Sequence, residues 1–322
     1  MPLRLVSISI ALLVLLAGCK STGTAFNPPG GIGGARAAHI VVGSTCNTSG
    51  VATFAGTATG NVAPTTNIAG GSTQLSVPDY LFATSSTLYV TDESTDEILE
   101  WPSSATGNTA PTVTIAGANT TIESPSGIEV TSGSIYVADF DAPAIDIFPA
   151  SASGNVAPTA RITGANTHLQ EPNGLWLDAS GNIWVADQGT NALMEYAHGA
   201  TGNVAPIATI SGATTTIAGA GGMFVDRHGN IWTSDYSTDS ILEFAPGSNG
   251  NVAPSKTITG GNTGLSRPID VAVDGAGYVY ATNLGNNTVD VFSPTASGNA
   301  TPVQLIGGAS TELGCTAGLG LY

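Results

Sequence analysis

Only two lysines, Lys20 and Lys256, occur in the 322 residues, and Lys plus Arg together number 7. No basic patch of the kind that grips a phosphate backbone can be assembled from so few cations, which excludes a nucleic-acid partner. Charge of either sign is sparse, at 9% of residues against roughly 25% in ordinary soluble domains. With Asp plus Glu at 23, the formal net charge is −16. Coiled coils and helical bundles, which draw on Ala, Glu, Lys, Leu and Arg, are excluded by the same scarcity. Cysteine is also scarce, at 3, so a dense disulfide scaffold is ruled out. No apolar run approaches the ~20 residues that a spanning helix needs. The apolar residues amount to 42%, too many for a disordered chain. What is plentiful is glycine, 42 residues without a one-in-three period, which excludes collagen and points to many turns.

The first residues read as an address. Arg4 is followed by an apolar run of 13 residues, Leu5 to Ala17, too short to span a bilayer and suited to an export signal. The run ends Leu16-Ala17-Gly18-Cys19, which resembles the lipobox of bacterial lipoproteins. The resemblance implies cleavage after residue 18 and lipidation of Cys19. The expected location is therefore the bacterial cell envelope, anchored to the membrane by lipid. Lys20 follows the cysteine where an Asp would retain the protein inside, so an outer-membrane position is expected in a two-membrane organism. Residues 19–35 carry the modified cysteine and a Gly-, Ser-, Thr- and Pro-rich tether without periodicity.

The strongest signal is internal repetition. Gly-Asn recurs with Gly at 60, 107, 154, 202, 250 and 298, at spacings of 47, 47, 48, 48 and 48, each with Pro three positions beyond the Asn. A period of this size marks a repeat architecture. Within 154–201 the chain alternates turn residues with four short β-forming runs: 158–162, 175–177, 183–186 and 193–196. Four short antiparallel strands per repeat describe a propeller blade, so the fold class is all-β, a six-bladed β-propeller over 36–322. The pattern running from Pro172 to Asp187, repeated with lapses at 125–139, 220–235 and 268–283, resembles the NHL-repeat family of β-propellers. That resemblance implies fold far more specifically than activity.

Five repeats are complete. The C-terminal piece, 298–322, supplies two strands (302–306 and 318–322), and the N-terminal piece supplies two more (39–42 and 51–54). The last blade is therefore expected to be composite, two strands from each end, closing the ring so that no strand edge is left open. Phe54 falls where Trp101, Phe148, Tyr196, Phe244 and Phe292 stand in the other repeats. In this arrangement Cys46 and Cys315 flank neighbouring antiparallel strands. An exported chain matures in an oxidising space, so the two are expected to form a disulfide across 269 positions.

Candidate binding residues lie where the innermost strands begin, at the mouth of the central channel: Asp79, Glu171, Asn173, Arg267 and Asp270, with Tyr236 just after a strand on the same face. Asp92, Asp139, Asp187, Asp235 and Asn283 recur at one phase of the repeat. A catalytic group is needed once and a turn cap in every blade, so these are read as caps. The fold also resembles six-bladed gluconolactonase-like enzymes, which implies a divalent cation, Ca²⁺ or another hard ion, held by carboxylates and Asn at the mouth. The residues by themselves call for no cofactor and single out no catalytic group. His39, His168, His198 and His228 fall on different segments and do not converge as zinc ligands would. Only His168 stands on the face where a streptogramin-lyase-like enzyme keeps its catalytic histidine. The functional expectation is a monomeric, lipid-anchored binding or scaffold module for an envelope protein, peptide or glycan. The alternative is a metal-assisted hydrolase or lyase of the gluconolactonase-like group.

Overall fold

In the computed structural model, residues 34–46 and 49–322 are described, so the signal segment, Cys19 and most of the tether lie outside the described residues. The chain forms six four-stranded antiparallel sheets. Blade 2 is typical: β4 (Pro78–Ala83), β5 (Thr87–Asp92), β6 (Glu97–Pro102) and β7 (Val113–Ile115) run from the centre outwards. Blades 3, 4 and 5 begin at β8 (Pro125–Val130), β12 (Pro172–Leu177) and β16 (Ala220–Val225), and blade 6 at β20 (Pro268–Val273). The sixth sheet, blade 1, joins the termini: β24 (Thr316–Leu321), β1 (His39–Ser44), β2 (Gly50–Ala55) and β3 (Thr66–Ala69).

Closure by both termini matches the expectation, but the division of strands differs. One strand comes from the C-terminus and three from the N-terminus, not two and two. The reason is the phase of the repeat. After the third strand of a blade the chain reverses through the Gly-Asn turn and pairs with the strand it has just left, as in Ile98↔Ile115. The run that follows Gly-Asn is thus the outermost strand of the blade already begun. The run read as 158–162 is Ala160–Thr163, and it closes blade 3 rather than opening blade 4. Sequence repeat and structural blade are offset by one strand.

The Gly-Asn pair does more than turn the chain. Each Gly adopts a positive φ, from 60° to 79°. Each Gly also makes a parallel bridge to the outermost strand of the preceding blade. The following Asn then accepts a backbone N–H from the linker that leaves that blade. Asn155 Oδ1 takes Asn119 N at 2.7 Å, and Asn203 Oδ1 takes Asn166 N at 2.7 Å. The last clasp, Ser310 N to Asn61 Oδ1 at 2.6 Å, spans the two termini. Six such clasps cover the outer edges that an open blade would expose.

The capping residues act as read. Asp187 is fully buried, and its carboxylate accepts from Gln170 N (2.8 Å), Glu171 N (3.3 Å), Thr190 N (2.9 Å) and Thr190 Oγ1 (2.8 Å). Asp235 does the same for Ala218, Gly219, Ser237 and Thr238. Asn283 keeps the position with one amide acceptor, to Ser266 N. Blade 1 has Ser44 instead, whose Oγ accepts Gly314 N at 3.3 Å. Beside this weaker cap stands the Cys46–Cys315 disulfide, with Cα atoms 5.1 Å apart. The covalent link reinforces the blade in which the cap is reduced to a hydroxyl. A further sixfold feature, missed in the sequence, is a buried threonine thirteen residues after each repeat glycine. Thr73, Thr120, Thr167, Thr215, Thr263 and Thr311 each donate Oγ1 to the carbonyl of the glycine three positions back, at 2.7–2.8 Å. The ring row is as expected: Phe54, Trp101, Phe148, Tyr196, Phe244 and Phe292 are all fully buried, each worth roughly 2–3 kcal/mol of apolar burial.

Candidate functional site at the channel mouth

The innermost strands share one register, and each row of that register sets a level of the channel. In the third row stand Tyr80, Gly127, Gly174, Gly222, Asp270 and Gly318. Neighbouring inner strands approach so closely here that a Cβ on Gly174 would lie 2.7 Å from the Gly221 carbonyl oxygen. A Cβ on Gly222 would overlap the Asp270 carboxylate, so the glycine makes room for the acid. Asp270 accepts Val271 N at 2.8 Å and Leu319 N at 2.9 Å. Burial nevertheless outweighs those bonds and pushes its carboxyl up to about 7.

The fifth row closes the channel. Phe82, Glu129, Trp176, Phe224, Ala272 and Gly320 meet around a cavity of about 40 Å³. The Trp176 and Phe224 rings lie 4.1 Å apart, tilted by 40°. Glu129 is 3% exposed, and its Oε2 is buried without a partner, as is Trp176 Nε1. Burial, and after it the charge of Asp270, holds the Glu129 carboxyl well above its ordinary range.

Above this plug the channel opens into a mouth of about 160 Å³, lined by Asp79, Glu93, Ser124, Ser126, Phe140, Asn173 and Gln188. Asp79 comes from the start of β4 and Asn173 from the start of β12, two blades on. Asn173 Nδ2 donates to Gln188 Oε1 at 3.1 Å, while its Oδ1 is buried and unpartnered. Burial, then the charges of Glu93, Asp270 and Asp92, lifts Asp79 to about 8. Glu93 is raised by burial first, with Asp141 and Asp92 adding and a Ser124 hydrogen bond opposing. Near neutral pH the mouth therefore presents the protonated Asp79 carboxyl beside a second carboxyl from Glu93, together with two amides, two hydroxyls and one aromatic side chain. That set can exchange hydrogen bonds with hydroxyl or amide groups of a ligand, and the Glu93 carboxyl disfavours an anionic one.

Of the six candidate residues, the structure brings Asp79 and Asn173 together at the mouth and sets Asp270 one level below, at the plug. Glu171, Arg267 and Tyr236 do not line the mouth cavity. Arg267 is exposed with φ 48°, and its backbone N–H is held by Asp239. The sequence reading missed Glu93, Phe140 and Gln188. Each follows directly on a capping-Asp turn, and that position could have flagged them. It also missed Glu129, for which nothing short of the inner-strand register gave a signal. His168, His198 and His228 are exposed at separate turns, and His39 stacks on Tyr322 at 4.6 Å. Among the described residues no group of three His, Cys, Asp or Glu side chains is placed to hold a metal ion.

No protein-family model and no curated protein matches the chain. Solved structures do. A chain of the nidogen/laminin complex is similar with TM-score 0.62 at 18% identity, covering 87% of this chain and 97% of that one. The periplasmic gluconolactonase of Pseudomonas aeruginosa is similar with TM-score 0.59 at 14% identity, covering 87% and 98%. A putative 6-phosphogluconolactonase from Bacteroides fragilis is similar with TM-score 0.57 at 15% identity, covering 90% and 86%. What the chain shares with all three is the β-propeller fold.

Proposed function

We propose that the chain is a ligand-binding propeller held at the bacterial cell envelope by a lipid on Cys19, with a polar, uncharged ligand such as a glycan taken at the channel mouth. The observation that carries this reading is the mouth itself. It is a pocket in which two amides, two hydroxyls, the protonated Asp79 and Glu93 stand together with the aromatic side chain of Phe140. Sugar hydroxyls pair with such groups, and a ring face suits the apolar side of a sugar. The location rests on the Leu16-Ala17-Gly18-Cys19 sequence and is supported by the Cys46–Cys315 bridge, since such bridges persist outside the reducing cytosol. Fractionation of expressing cells tests the anchor. The wild-type chain is expected in the detergent-extractable membrane fraction and the C19S variant in the soluble fraction. Retention of C19S in the membrane would contradict lipid anchoring.

One observation favours a second reading, a metal-assisted hydrolase or lyase. Asp79 and the unpartnered Asn173 Oδ1 place two oxygen donors from separate blades in one pocket, as a hard cation prefers. The likeness to a periplasmic gluconolactonase points the same way. Against it, no three His, Cys, Asp or Glu side chains among the described residues are grouped to hold a metal ion. In this reading Asp79 and Asn173 would hold the cation, which would polarise a substrate oxygen.

A further inference from the structure

The opposite, lower face of the ring carries a second cleft. Two neighbouring blades build equivalent turns there. Asp226 Oδ1 accepts His228 N and Asn230 N at 2.8 and 3.0 Å, and Asp274 Oδ1 accepts Ala276 N and Tyr278 N at 2.9 and 3.0 Å. The other carboxylate oxygen of each takes a side-chain donor from the next strand: Trp232 Nε1 at 3.3 Å on Asp226, Tyr280 OH at 2.8 Å on Asp274. Beyond these pairs the two grooves part. In blade 6 the chain fills its own groove. The Arg36 guanidinium lies 4.0 Å over the Tyr278 ring and bonds Tyr280 OH and Gln304 Oε1 at 3.1 and 3.0 Å, while Ala37 N reaches Asp274.

In blade 5 the cation is Lys256 of the outermost strand. Its Nζ is 2.8 Å from Glu243 Oε2 and 4.9 Å over the Trp232 ring. No N-terminal segment among the described residues enters this groove, which is a cleft of about 410 Å³ between blades 5 and 6. That volume lies within the range of small-molecule sites, roughly 300–1,000 Å³. Phe224, Val225, Val273, Trp232 and Pro294 give it apolar walls.

The charges of the cleft are unequally committed. Asp226 and Asp274 are engaged by their own turns and rings, and Glu243 by Lys256 and Ser255. Arg227 and His228, both exposed at the rim, are engaged only with each other. Arg227 Nε donates to His228 Nε2 at 3.1 Å, so Nδ1 carries the imidazole proton. The terminal guanidinium nitrogens and that Nδ1–H are donors with no acid partner among the described residues. On a chain with a net charge of −16, two of its 7 cations line this one cleft. The geometry points to a second ligand site, for a small organic anion. A carboxylate or phosphate monoester would pair with Arg227 and His228, and its ring or short apolar body would lie against Val225, Val273 and Trp232. Arg supplies a bidentate fork for such a head group.

Calorimetric titration with phenyl phosphate, inorganic phosphate and benzyl alcohol tests the assignment. Phenyl phosphate should bind saturably at one site per chain, about tenfold or more tighter than inorganic phosphate, with no saturable signal from benzyl alcohol. The R227Q/H228Q double variant alters only exposed side chains and should weaken phenyl phosphate about tenfold. A D79N variant, on the far side of the ring, should leave it unchanged and so separates this site from the mouth. Absence of saturable binding up to about 10 mM overturns the proposal. So does binding that ignores R227Q/H228Q, or equal affinity for inorganic and phenyl phosphate.

Discussion

Replacing Cys46 and Cys315 together with serine should lower the stability of the propeller by about 3–5 kcal/mol. The bond closes a loop of 269 positions, for which the chain-entropy relation gives roughly 5 kcal/mol as an upper bound. The position argues for a value near that bound. Blade 1 is the only blade assembled from both termini, and its β1–β24 pairing is interrupted by a bulge between Val42 and Ser44. It is also the blade in which Ser44, with a single 3.3 Å bond, stands where blade 2 has the multiply bonded carboxylate of Asp92. Noncovalent closure then rests on β1–β24 pairing, the Asn61 clasp and the Arg36 contacts. Thermal unfolding of C46S/C315S beside wild type measures the effect, and a loss of this size corresponds to a melting point lower by about 8 °C or more. An unchanged melting point would mean that strand pairing alone closes the ring.

Stability should fall as pH rises from about 5 to 8, the reverse of the behaviour of proteins with many salt-bridged carboxylates. Asp270 is raised to about 7, and Glu100 and Asp290 also to about 7, in each case chiefly by burial. Glu129 is also held well above its ordinary range, chiefly by burial. In the unfolded chain these acids ionise near their ordinary values, around 4. Between that range and pH 7 the folded chain holds protons that the unfolded chain has released, so folding is favoured by added protons. The contribution is present at mildly acidic pH and is lost as pH rises through the folded-state values. For Asp270 alone the full difference, from below pH 4 to above pH 8, amounts to about 4 kcal/mol, of which about 2–3 kcal/mol falls between pH 5 and 8. Its carboxyl faces Tyr80, Asp79 and Glu129 across the channel, so the effects of these groups are not additive. Denaturant midpoints measured from pH 5 to 8 should decline. The D270N variant, uncharged throughout, should show a shallower decline even where the loss of one acceptor lowers its stability at every pH. A flat or rising profile would contradict the buried, protonated state of the channel acids.

Much of this fold could be read from residues alone, because a propeller repeats its requirements. A turn glycine and a clasp asparagine recur in all six blades and a capping aspartate in four, with Asn283 and Ser44 in the other two, and such recurrence separates them from chance. The same logic identified Phe54 and the Cys46–Cys315 pair. Two things were not legible. The phase of the blade was misread because pairing direction after the Gly-Asn turn is a property of the hairpin, not of residue type. The site was only partly legible because it is made of what does not repeat. Glu93, Phe140 and Gln188 occupy one turn position in successive blades, and Glu129 occupies a row otherwise filled by rings and small residues. Their convergence depends on the ring being closed, which places blades 2, 3 and 4 around one opening.

The ligand proposed for the channel mouth at Asp79 and Asn173 is polar and uncharged. The direct measurement is the side-chain amide resonances of Asn173 and Gln188, followed while a panel of neutral oligosaccharides and, separately, Ca²⁺, Mg²⁺, Mn²⁺ and Zn²⁺ are added. At least one saccharide is expected to shift both resonances saturably without added metal. Silence of both resonances towards every saccharide, with a saturable response only to a divalent cation, would contradict it and favour the metal-assisted enzyme.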